Sequence, residues 1–434
     1  RRRSIMRGRY FRYLFENQAG GLFHSGSVYD RERNTTTNYI YMVESYSRNE
    51  RVKGELDFGA RKDAIPDEID LLVLGGYTIN YIRKLVTLVK EHTVWTLILP
   101  YLAPIQRLVL VEETTGRKEN MKDVIRFLQD PYLFLQECGI KNLYFVYGNG
   151  RIPDRKPEEI AEGCYFEEAD DKSLKLIWEM EGYAIPVVHA GYIIENGWFF
   201  YFGVYGLDIQ TLSGFTREYF SQMENIHEVS ENLKEDYKNQ MKRFMMTYQL
   251  KFGNSPATTI VMYEGPQNIV PSENESFMTE KEFLREEQCR AWIQYAEDNF
   301  KTCTIRCMHE RDHDIMQHHK SSMDLRFGLL MLGNVNLNHY YENITERFAK
   351  IRERVRGIAV PNSGSHADWN PEILHLSECK DRMYWICGKH EITSQNVVSD
   401  IVLSSSNNRF LTVDNERGCC LSGYFVPKED MDRP

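Results

Sequence analysis

Apolar and polar positions alternate near the start of the chain, and this pattern predicts β-strands. The segments FRYLFEN, GLFHSGSVYD and NYIYMVESYS are short, rich in aromatic and β-branched residues, and separated by turns that contain Gly or Asn. Residues 71–74 (LLVL) form a continuous apolar run that is typical of a strand covered on both faces. Apolar residues then recur at helical spacing over 79–91, and TVWTLILP at 93–100 is again strand-like. Residues 10–102 therefore predict several strands followed by a strand-helix-strand unit.

The middle of the chain alternates between helical and strand patterns. MKDVIRFLQDPYLFLQECGI is amphipathic at helical spacing, and NLYFVYG after it is strand-like. In AIPVVHAGYIIENGWFFYFGVYG, Asn196-Gly197 separates two apolar runs, which predicts a β-hairpin. The charged segments TREYFSQMENIHEVSENLKEDYKNQMKRFMMTYQL and MTEKEFLREEQCRAWIQYAEDNF favour helices.

Strand and turn patterns return after residue 300. KTCTIRCMH and MDLRFGLLMLGNVNL are followed by a helix, ITERFAKIRERV, and by the strands GIAVP and RMYWICG. We therefore predict one α/β domain whose halves are 1–102 and 301–434, with a large α+β insertion at 103–300. Three domains in series are less favoured, because neither flank alone has enough strands to cover its own sheet.

The turn after the apolar run at 71–74 lacks the chemistry that its position suggests. LLVLGGYTINYIRKL predicts a strand that passes directly into a helix through Gly75, Gly76, Tyr77 and Thr78. Such turns commonly hold ligands in α/β proteins. This one contains no His, Cys or carboxylate that could bind a metal or activate water.

The order of the motifs resembles the metallo-β-lactamase fold, the four-layer αββα sandwich of zinc-dependent hydrolases and nucleases. In that family a strand like LLVISH is followed by an H-x-[HD]-x-D-H turn and a helix. LLVLGGYTINYIRKL is similar in hydrophobic pattern and length. On this resemblance the family's first ligand His falls on Gly76, the second ligand on Thr78, the Asp on Asn80 and the last His on Tyr81.

Two later segments also resemble family motifs. LLMLGNVNLN is similar to the strand that ends in Leu-x-Gly-Asp, so the position of the metal-bridging Asp is Asn334. VPNSGSHADWN resembles the Pro-His-His-Gly-Ser turn of the competence-nuclease branch, with Asn362 and Ser363 at the two His positions. The family's final His would fall near Ser394 or Gln395. NQAGGLFHSG and MVESYS resemble the family's N-terminal VGQG-LF-SG and VYDCGS segments.

The resemblance covers 10–102 and 301–405 and implies a protein that has lost its metals. A two-metal hydrolase needs imidazole nitrogens and a bridging carboxylate, whereas the residues at these positions offer neutral oxygens or no donor. We therefore expect no cofactor and no catalysis, and a binding or scaffold subunit of a protein complex whose partner surface lies in 103–300. Divergent members of the fold occur in bacterial antiviral defence systems, which suggests that setting by analogy of fold.

A histidine-rich segment provides an alternative. CMHERDHDIMQHHK at 307–320 contains an HExxH pattern, and His309, His313, His318 and His319 could hold a relocated metal of an active hydrolase or nuclease. The segment lies between strand-like stretches and its Asp and His residues form helices weakly, so a polar hairpin loop is the competing interpretation. Isolated histidines such as His24 are expected to be structural.

A basic segment supports a third hypothesis, a nucleic-acid-binding module. Five cations lie in or beside the predicted helix ITERFAKIRERV and could contact phosphates, together with the basic segment RRRSIMRGR at the start of the chain: Arg347, Lys350, Arg352, Arg354 and Arg356. An amphipathic helix with a solvated basic face explains the same pattern.

Composition narrows the class of protein further. The chain has 434 residues, 42% of them hydrophobic, and a net charge of −10, so it can bury a core and does not coat nucleic acid through net charge. Nine scattered cysteines without a C-x-x-C pair indicate reduced thiols and a cytoplasmic protein. No apolar run could cross a membrane and no secretory signal is evident. The first residue is not Met, so we expect residues upstream, while partner identity and oligomeric state stay open.

Overall fold

A computed structural model of the chain describes residues 8–16, 21–30, 33–44, 65–114, 121–148, 157–206, 208–224, 233–252, 258–267, 328–364, 368–377, 384–388, 409–413 and 419–425. Within these ranges the protein is a mixed α/β structure with one large curled sheet and several helices. No helix in this part of the chain is long and apolar enough to span a bilayer.

The sheet contains fifteen described strands, which follow the chain in this order: β1 (Gly8–Glu16), β2 (Gly21–Asp30), β3 (Thr35–Glu44), β4 (Glu68–Leu74), β5 (Thr93–Pro100), β6 (Asn142–Val146), β7 (Gly163–Glu168), β8 (Val187–Glu195), β9 (Trp198–Tyr205), β10 (Thr259–Pro266), β11 (Gly328–Met331), β12 (Val355–Ala359), β13 (Tyr384–Gly388), β14 (Arg409–Val413) and β15 (Cys419–Phe425).

The described helices are α1 (Ile79–Glu91), α2 (Pro104–Thr114), α3 (Lys122–Gln129), α4 (Pro131–Glu137), α5 (Asp171–Glu181), α6 (Ile209–Glu224), α7 (Leu233–Phe252) and α8 (Leu337–Arg347). Short 3-10 helices cover Pro157–Glu159, Ala349–Arg354, Pro361–Gly364 and Pro371–His375. Helix α1 begins where predicted because the Thr78 side chain caps it, accepting a hydrogen bond from the backbone of Tyr81 at 3.3 Å.

Hydrogen bonding orders the sheet as β14-β13-β12-β11-β10-β9-β8-β6-β5-β4-β3-β2-β1-β15, and β7 pairs with β8 beside this path. Two groups of strands are parallel, β3-β4-β5-β6-β8 and β11-β12-β13-β14. Antiparallel pairs through β9 and β10 join the two parallel groups, and β2, β1 and β15 continue the sheet beyond β3 in antiparallel pairs. Strands β14 and β15, at the two ends of the path, contact each other, so the sheet curls until its ends meet.

One face of the curled sheet forms an interior core. Tyr39, Tyr41 and Val43 on β3 lie in the same buried cluster as Ile260 and Met262 on β10. These side chains occur at every second position, because alternate residues of a strand lie on the same face. Side chains from both halves of the sheet therefore pack against one another in the interior core.

Helices cover the opposite face of both halves. Ile40 and Met42 of β3 belong to a first outer core that includes side chains of α1 to α7. A second outer core joins β9 to β13 with α8 and the 3-10 helices that follow it, and Val261 and Leu330 are among its buried residues. The central strands of each half, such as β4, β9, β10 and β12, are thus buried on both faces, whereas β7 is largely exposed.

The section 103–300, predicted to be an insertion, contributes strands to this same sheet. Strand β6 pairs with β5 in the first half, and β10 pairs with β11 in the last part of the chain. Strands β8, β9 and β10 connect the two parallel groups. The described strands of the middle section are therefore continuous with the rest of the sheet.

Candidate functional site

The carboxyl ends of β4 and β11 meet on either side of β10. Gly76, which follows β4, forms an isolated bridge with Thr259 at the start of β10. The Thr259 hydroxyl donates to the carbonyl of Gly75 at 2.7 Å and accepts from the backbone N–H of Asn334 at 3.2 Å. Gly76 and Asn334, two of the predicted degenerate ligand positions, are therefore brought together.

The space around three glycines shows which backbone positions accept a side chain. A Cβ added to Gly75 would lie 2.6 Å from the Tyr41 hydroxyl, and one on Gly333 would lie 2.6 Å from the Thr259 hydroxyl. A Cβ on Gly76 would meet nothing closer than 3.5 Å, and the Asn334 side-chain nitrogen would be 3.6 Å away. Of these three glycines, Gly76 is the one with room for a Cβ, and that Cβ would contact Asn334.

Asn362 lies beside the same turn. Its backbone N–H donates to the carbonyl of Gly333 at 3.0 Å, and its side-chain amide donates to Asp368 at 2.7 Å. Both side-chain polar atoms of Asn334 and the Oδ1 of Asn362 are buried without a hydrogen-bond partner among the described residues. Ser363 follows in the 3-10 helix Pro361–Gly364. The Asn334 amide and the Oδ1 of Asn362 are thus buried polar groups of a kind that is uncommon in proteins.

The other three positions from the first motif contribute to the helix and core. Thr78 caps α1, as described above, and Asn80 is the second residue of that helix. Tyr81 is fully buried, and its hydroxyl donates to the carbonyl of Leu22 at 3.4 Å. The ammonium of Lys84 lies 4.6 Å from the centre of the Tyr81 ring. Thr78 and Tyr81 thus have structural contacts of their own.

The groups at this place are amides, hydroxyls and backbone carbonyls, together with the Asp368 carboxylate that accepts from the Asn362 amide. No group of three or more His, Cys, Asp or Glu side chains in the described part of the chain is placed to hold a metal ion. The alternative metal residues, His309, His313, His318 and His319, lie outside the described residues. The relocated metal site therefore stays a prediction.

The predicted solvated basic face is wrong for three of its five residues. Arg347, Arg354 and Arg356 are buried, whereas Lys350 is exposed and Arg352 is half-buried. The α-helix ends at Arg347, a 3-10 helix replaces its predicted continuation as far as Arg354, and Arg356 lies in strand β12.

Specific contacts explain why these arginines are buried. Nη1 of Arg354 donates to the carbonyls of Pro266 at 3.2 Å and Gln267 at 2.7 Å, both at the end of β10. The Cδ of Arg347 lies 2.7 Å from where a Cβ on Gly203 would be, so this glycine makes room for the arginine. Buried guanidinium groups with such partners cannot contact a nucleic-acid backbone.

A buried polar cluster in the interior core was not predicted. It consists of Arg12, His24, Tyr39, Trp198 and Glu264, all buried. The first three lie on β1, β2 and β3, and the other two on β9 and β10. A sequence signal does exist, because Glu264 follows Ile260 and Met262 at strand spacing and so falls on the inward face.

Glu264 is the centre of this Arg12–Glu264 cluster. Nε of Arg12 lies 2.6 Å from its Oε1, and the Trp198 indole N–H donates to its Oε2 at 2.7 Å. Nε2 of His24 lies 3.5 Å from Oε1. Burial raises the pKa of the Glu264 carboxyl, and the Arg12 guanidinium opposes that shift. Burial, together with the charge of Arg12, holds the pKa of His24 well below its ordinary value.

The Arg12–Glu264 cluster joins the two halves of the sheet. Every member is sealed from solvent, so no substrate reaches it in this conformation. The cluster therefore links strands within the core. His24 has a structural place in it, as the sequence predicted.

Comparisons with protein-family models, with curated protein sequences and with solved structures found no match to this chain. Similarity therefore assigns the chain to no family.

Proposed function

We propose that this chain is a metal-free protein of the metallo-β-lactamase type that acts as a binding or scaffold subunit of a protein complex. The contact between position 76 and Asn334 carries the proposal. In the family that the sequence resembles, these positions hold the first ligand His and the bridging Asp. A Cβ on Gly76 would lie 3.6 Å from the side-chain nitrogen of Asn334, so the two positions are adjacent, as former ligand positions would be.

The arrangement of the cores supports the same proposal. Two halves of the sheet enclose the interior core, and helices cover each half on its outer face. This order of layers is compatible with a four-layer αββα sandwich, whose ligand sites lie where the carboxyl ends of strands from the two sheets meet. Gly76 and Asn334 follow β4 and β11 at such a place.

The donor set argues against catalysis at this place. Zinc prefers nitrogen and sulfur donors, and a hydrolytic pair of metals also needs negative charge to offset its own. Asn334 and Asn362 provide neutral amides, and the Thr259 hydroxyl is occupied by the Gly75 carbonyl and the Asn334 N–H. These donors support a role in binding rather than in metal-dependent hydrolysis.

Elemental analysis tests the proposal. Protein purified without chelators and without added metal is expected to contain no stoichiometric zinc or manganese. The variant Gly76→His/Asn334→Asp/Asn362→His, which restores three ligand types, is expected to acquire zinc on titration. Gly76→Ala/Asn334→Asp/Asn362→Ala is the matched control, since it changes the same three positions and keeps the new carboxylate but adds no imidazole.

Stoichiometric metal in the wild type would contradict the proposal. The variant His309→Ala/His313→Ala would then locate the metal, because its loss in that variant identifies the relocated hydrolase site. Failure of the restored variant to bind zinc, while it unfolds as cooperatively as the wild type, would argue against positions 76, 334 and 362 as former ligands.

A further inference from the structure

Strand β7 forms an open edge of the sheet. Among the described strands it pairs with β8 alone, in a register that places Gly163 opposite Ile194 and Phe166 opposite Gly191. All of its residues except the half-buried Phe166 are exposed. An unpaired strand edge presents a row of backbone N–H and C=O groups that another strand can join. Within the described part of the chain, the edge of β7 that faces away from β8 is such a row.

Aromatic contacts hold β7 against the sheet on both of its faces. Phe166 stacks on Tyr144 of β6, with ring centres 4.5 Å apart. Tyr165 stacks on Tyr192 of β8 at 5.0 Å. Neighbouring residues of a strand point to opposite faces, so these two contacts lie on the two sides of β7. The open edge is thus preorganised, which lowers the entropic cost of adding a strand to it.

The open edge lies in an acidic part of the chain. No Lys or Arg occurs between residues 157 and 171. The exposed acidic residues of this stretch are Glu159, Glu162, Glu167, Glu168, Asp170 and Asp171. Arg33, which comes from the turn before β3, pairs with Glu162 and with Asp30. One cation is therefore shared between two carboxylates here, and the edge keeps a negative charge.

The neighbouring strand adds to the negative charge at the start of β7. Glu195 is the last residue of β8 and follows Ile194, which pairs with Gly163. Burial raises the pKa of the Glu195 carboxyl, and the charges of Asp70 and Glu162 raise it further. Repulsion among these carboxylates disfavours another anion at this place and favours a cation.

These charges determine which kind of strand fits the edge. A second copy of β7 would bring its own carboxylates next to those of the first, and like charges opposite each other on neighbouring strands are destabilising. A nucleic-acid backbone is repelled for the same reason. A strand with Lys or Arg at alternate positions places cations beside the carboxylates, while its backbone hydrogen bonds provide affinity.

We propose that β7 receives a basic, extended segment of a partner protein as an additional strand. This inference depends on the proposed binding function and gives that function a site. The new strand pairs with residues 163–166, where the register between β7 and β8 is regular. The register shifts between Phe166 and Glu168, and such an irregularity disrupts a ladder, so the added pairing is short.

Three peptides of equal charge test the proposal. The first is N-acetyl-Lys-Val-Lys-Val-Lys-amide, and the other two are N-methylated on the backbone nitrogens of either its valines or its lysines. Alternate N–H groups of an added strand face its neighbour. One methylated peptide is therefore expected to bind about tenfold more weakly than the first, and the other to keep most of its affinity. Equal binding of all three would show attraction by charge alone and would overturn the proposal.

Charge reversal locates the binding. Glu167→Lys/Glu168→Lys is expected to weaken binding of the unmodified peptide by about tenfold, because attraction becomes repulsion beside the open edge. Glu91→Lys/Glu372→Lys is the matched control, since it makes the same change in net charge at two exposed carboxylates elsewhere. Equal weakening in the two double variants would refute the assignment to β7.

Hydrogen exchange identifies the pairing directly. Saturating peptide is expected to slow exchange of alternate backbone amides in β7, and unchanged exchange there would overturn the proposal. A dimer that sediments without peptide and dissociates in Glu167→Lys/Glu168→Lys would show that a second copy occupies the edge instead. Tighter peptide binding by Arg1→Ala/Arg2→Ala/Arg3→Ala would assign the edge to the chain's own basic start. Metal content enters none of these measurements, so a failure here is distinguishable from a failure of the proposed function.

Discussion

Arg12 and Glu264 pair across the interior core, with Nε of the arginine 2.6 Å from the carboxylate, although 252 positions separate them in the chain. Both side chains are fully sealed from solvent. Taking two charges out of water is costly, and this cost is offset only when each charge keeps its partner. The pair therefore makes the first strand and the tenth strand depend on each other.

Removal of one charge is expected to destabilise the fold strongly. Glu264→Gln removes the buried carboxylate that lies 2.6 Å from the Arg12 guanidinium, and loss of one member of a buried pair typically costs about 3 to 5 kcal/mol. Equilibrium unfolding in urea at neutral pH measures the change. The double variant Arg12→Met/Glu264→Leu removes both charges and is expected to recover most of that loss. A double variant as unstable as Glu264→Gln would show that the charges are not coupled.

Acid is expected to weaken the fold through His24. Its pKa is lowered from 6.5, so the unfolded chain binds this proton more readily than the folded chain. The contribution of His24 to stability is therefore fully present above about pH 6.5 and is lost as the pH falls below that value. The groups that face it are Arg12, Tyr39 and Glu264.

The variant His24→Phe isolates this effect. The free energy of unfolding, measured between pH 7.5 and 5.5, is expected to fall less steeply in His24→Phe than in the wild type. His339→Phe on α8 is the control, because this histidine is exposed. Identical pH profiles for His24→Phe and the wild type would contradict the prediction.

Two glycines are expected to respond differently to one methyl group. Gly333 has a φ of +61°, and its Cβ would press on the Thr259 hydroxyl, so Gly333→Ala is expected to cost about 1 to 3 kcal/mol. Gly76→Ala meets only ordinary contacts and is expected to stay within about 1 kcal/mol of the wild type. Thermal unfolding of the two variants, measured in parallel, gives the difference in their stability. Equal destabilisation would show that Gly76 has no more room for a Cβ than Gly333 has.

Thr259 is expected to hold the two strand ends together. Thr259→Val removes the donor to the Gly75 carbonyl and the acceptor for the Asn334 N–H, at a cost of about 1 to 3 kcal/mol. Hydrogen exchange of the Asn334 amide should accelerate. Thr247→Val on α7 is the control, since the Thr247 hydroxyl donates to the carbonyl of Arg243 within its own helix. Unchanged exchange at Asn334 would contradict this role for Thr259.

Sequence patterns correctly predicted the helices, hairpins and strands that are determined by neighbouring residues. Helix α1 spans 79–91 as expected, because Thr78 caps it and its apolar residues follow the helical period. The hairpin at Asn196-Gly197 is confirmed, with φ values of +51° and +70° that match the residue types. The strands 93–100 and 142–146 also lie where their apolar runs indicated.

Long-range contacts explain what the patterns missed. The stretch at 122–137 reads as one amphipathic helix, but Pro131 begins a second helix there, with the Asp130 side chain as its cap. From the sequence alone, Arg354 was expected to be a solvated cation. In the fold it is buried and donates to the carbonyls of Pro266 and Gln267, at the end of β10. Strand β10 was not predicted from the sequence. It provides Thr259 to the candidate site and Glu264 to the interior core.

The register between β1 and β15 places Leu14 opposite Cys419 and Gly8 opposite Phe425. During synthesis, the edge of β1 that pairs with β15 stays unpaired until roughly 400 further residues have been translated. At ordinary elongation rates this takes about 20 to 80 s. A strand edge left open that long invites pairing with other nascent chains. Chaperone protection of the emerging amino-terminal strands is therefore expected to determine how much of this protein reaches its native state in the cell.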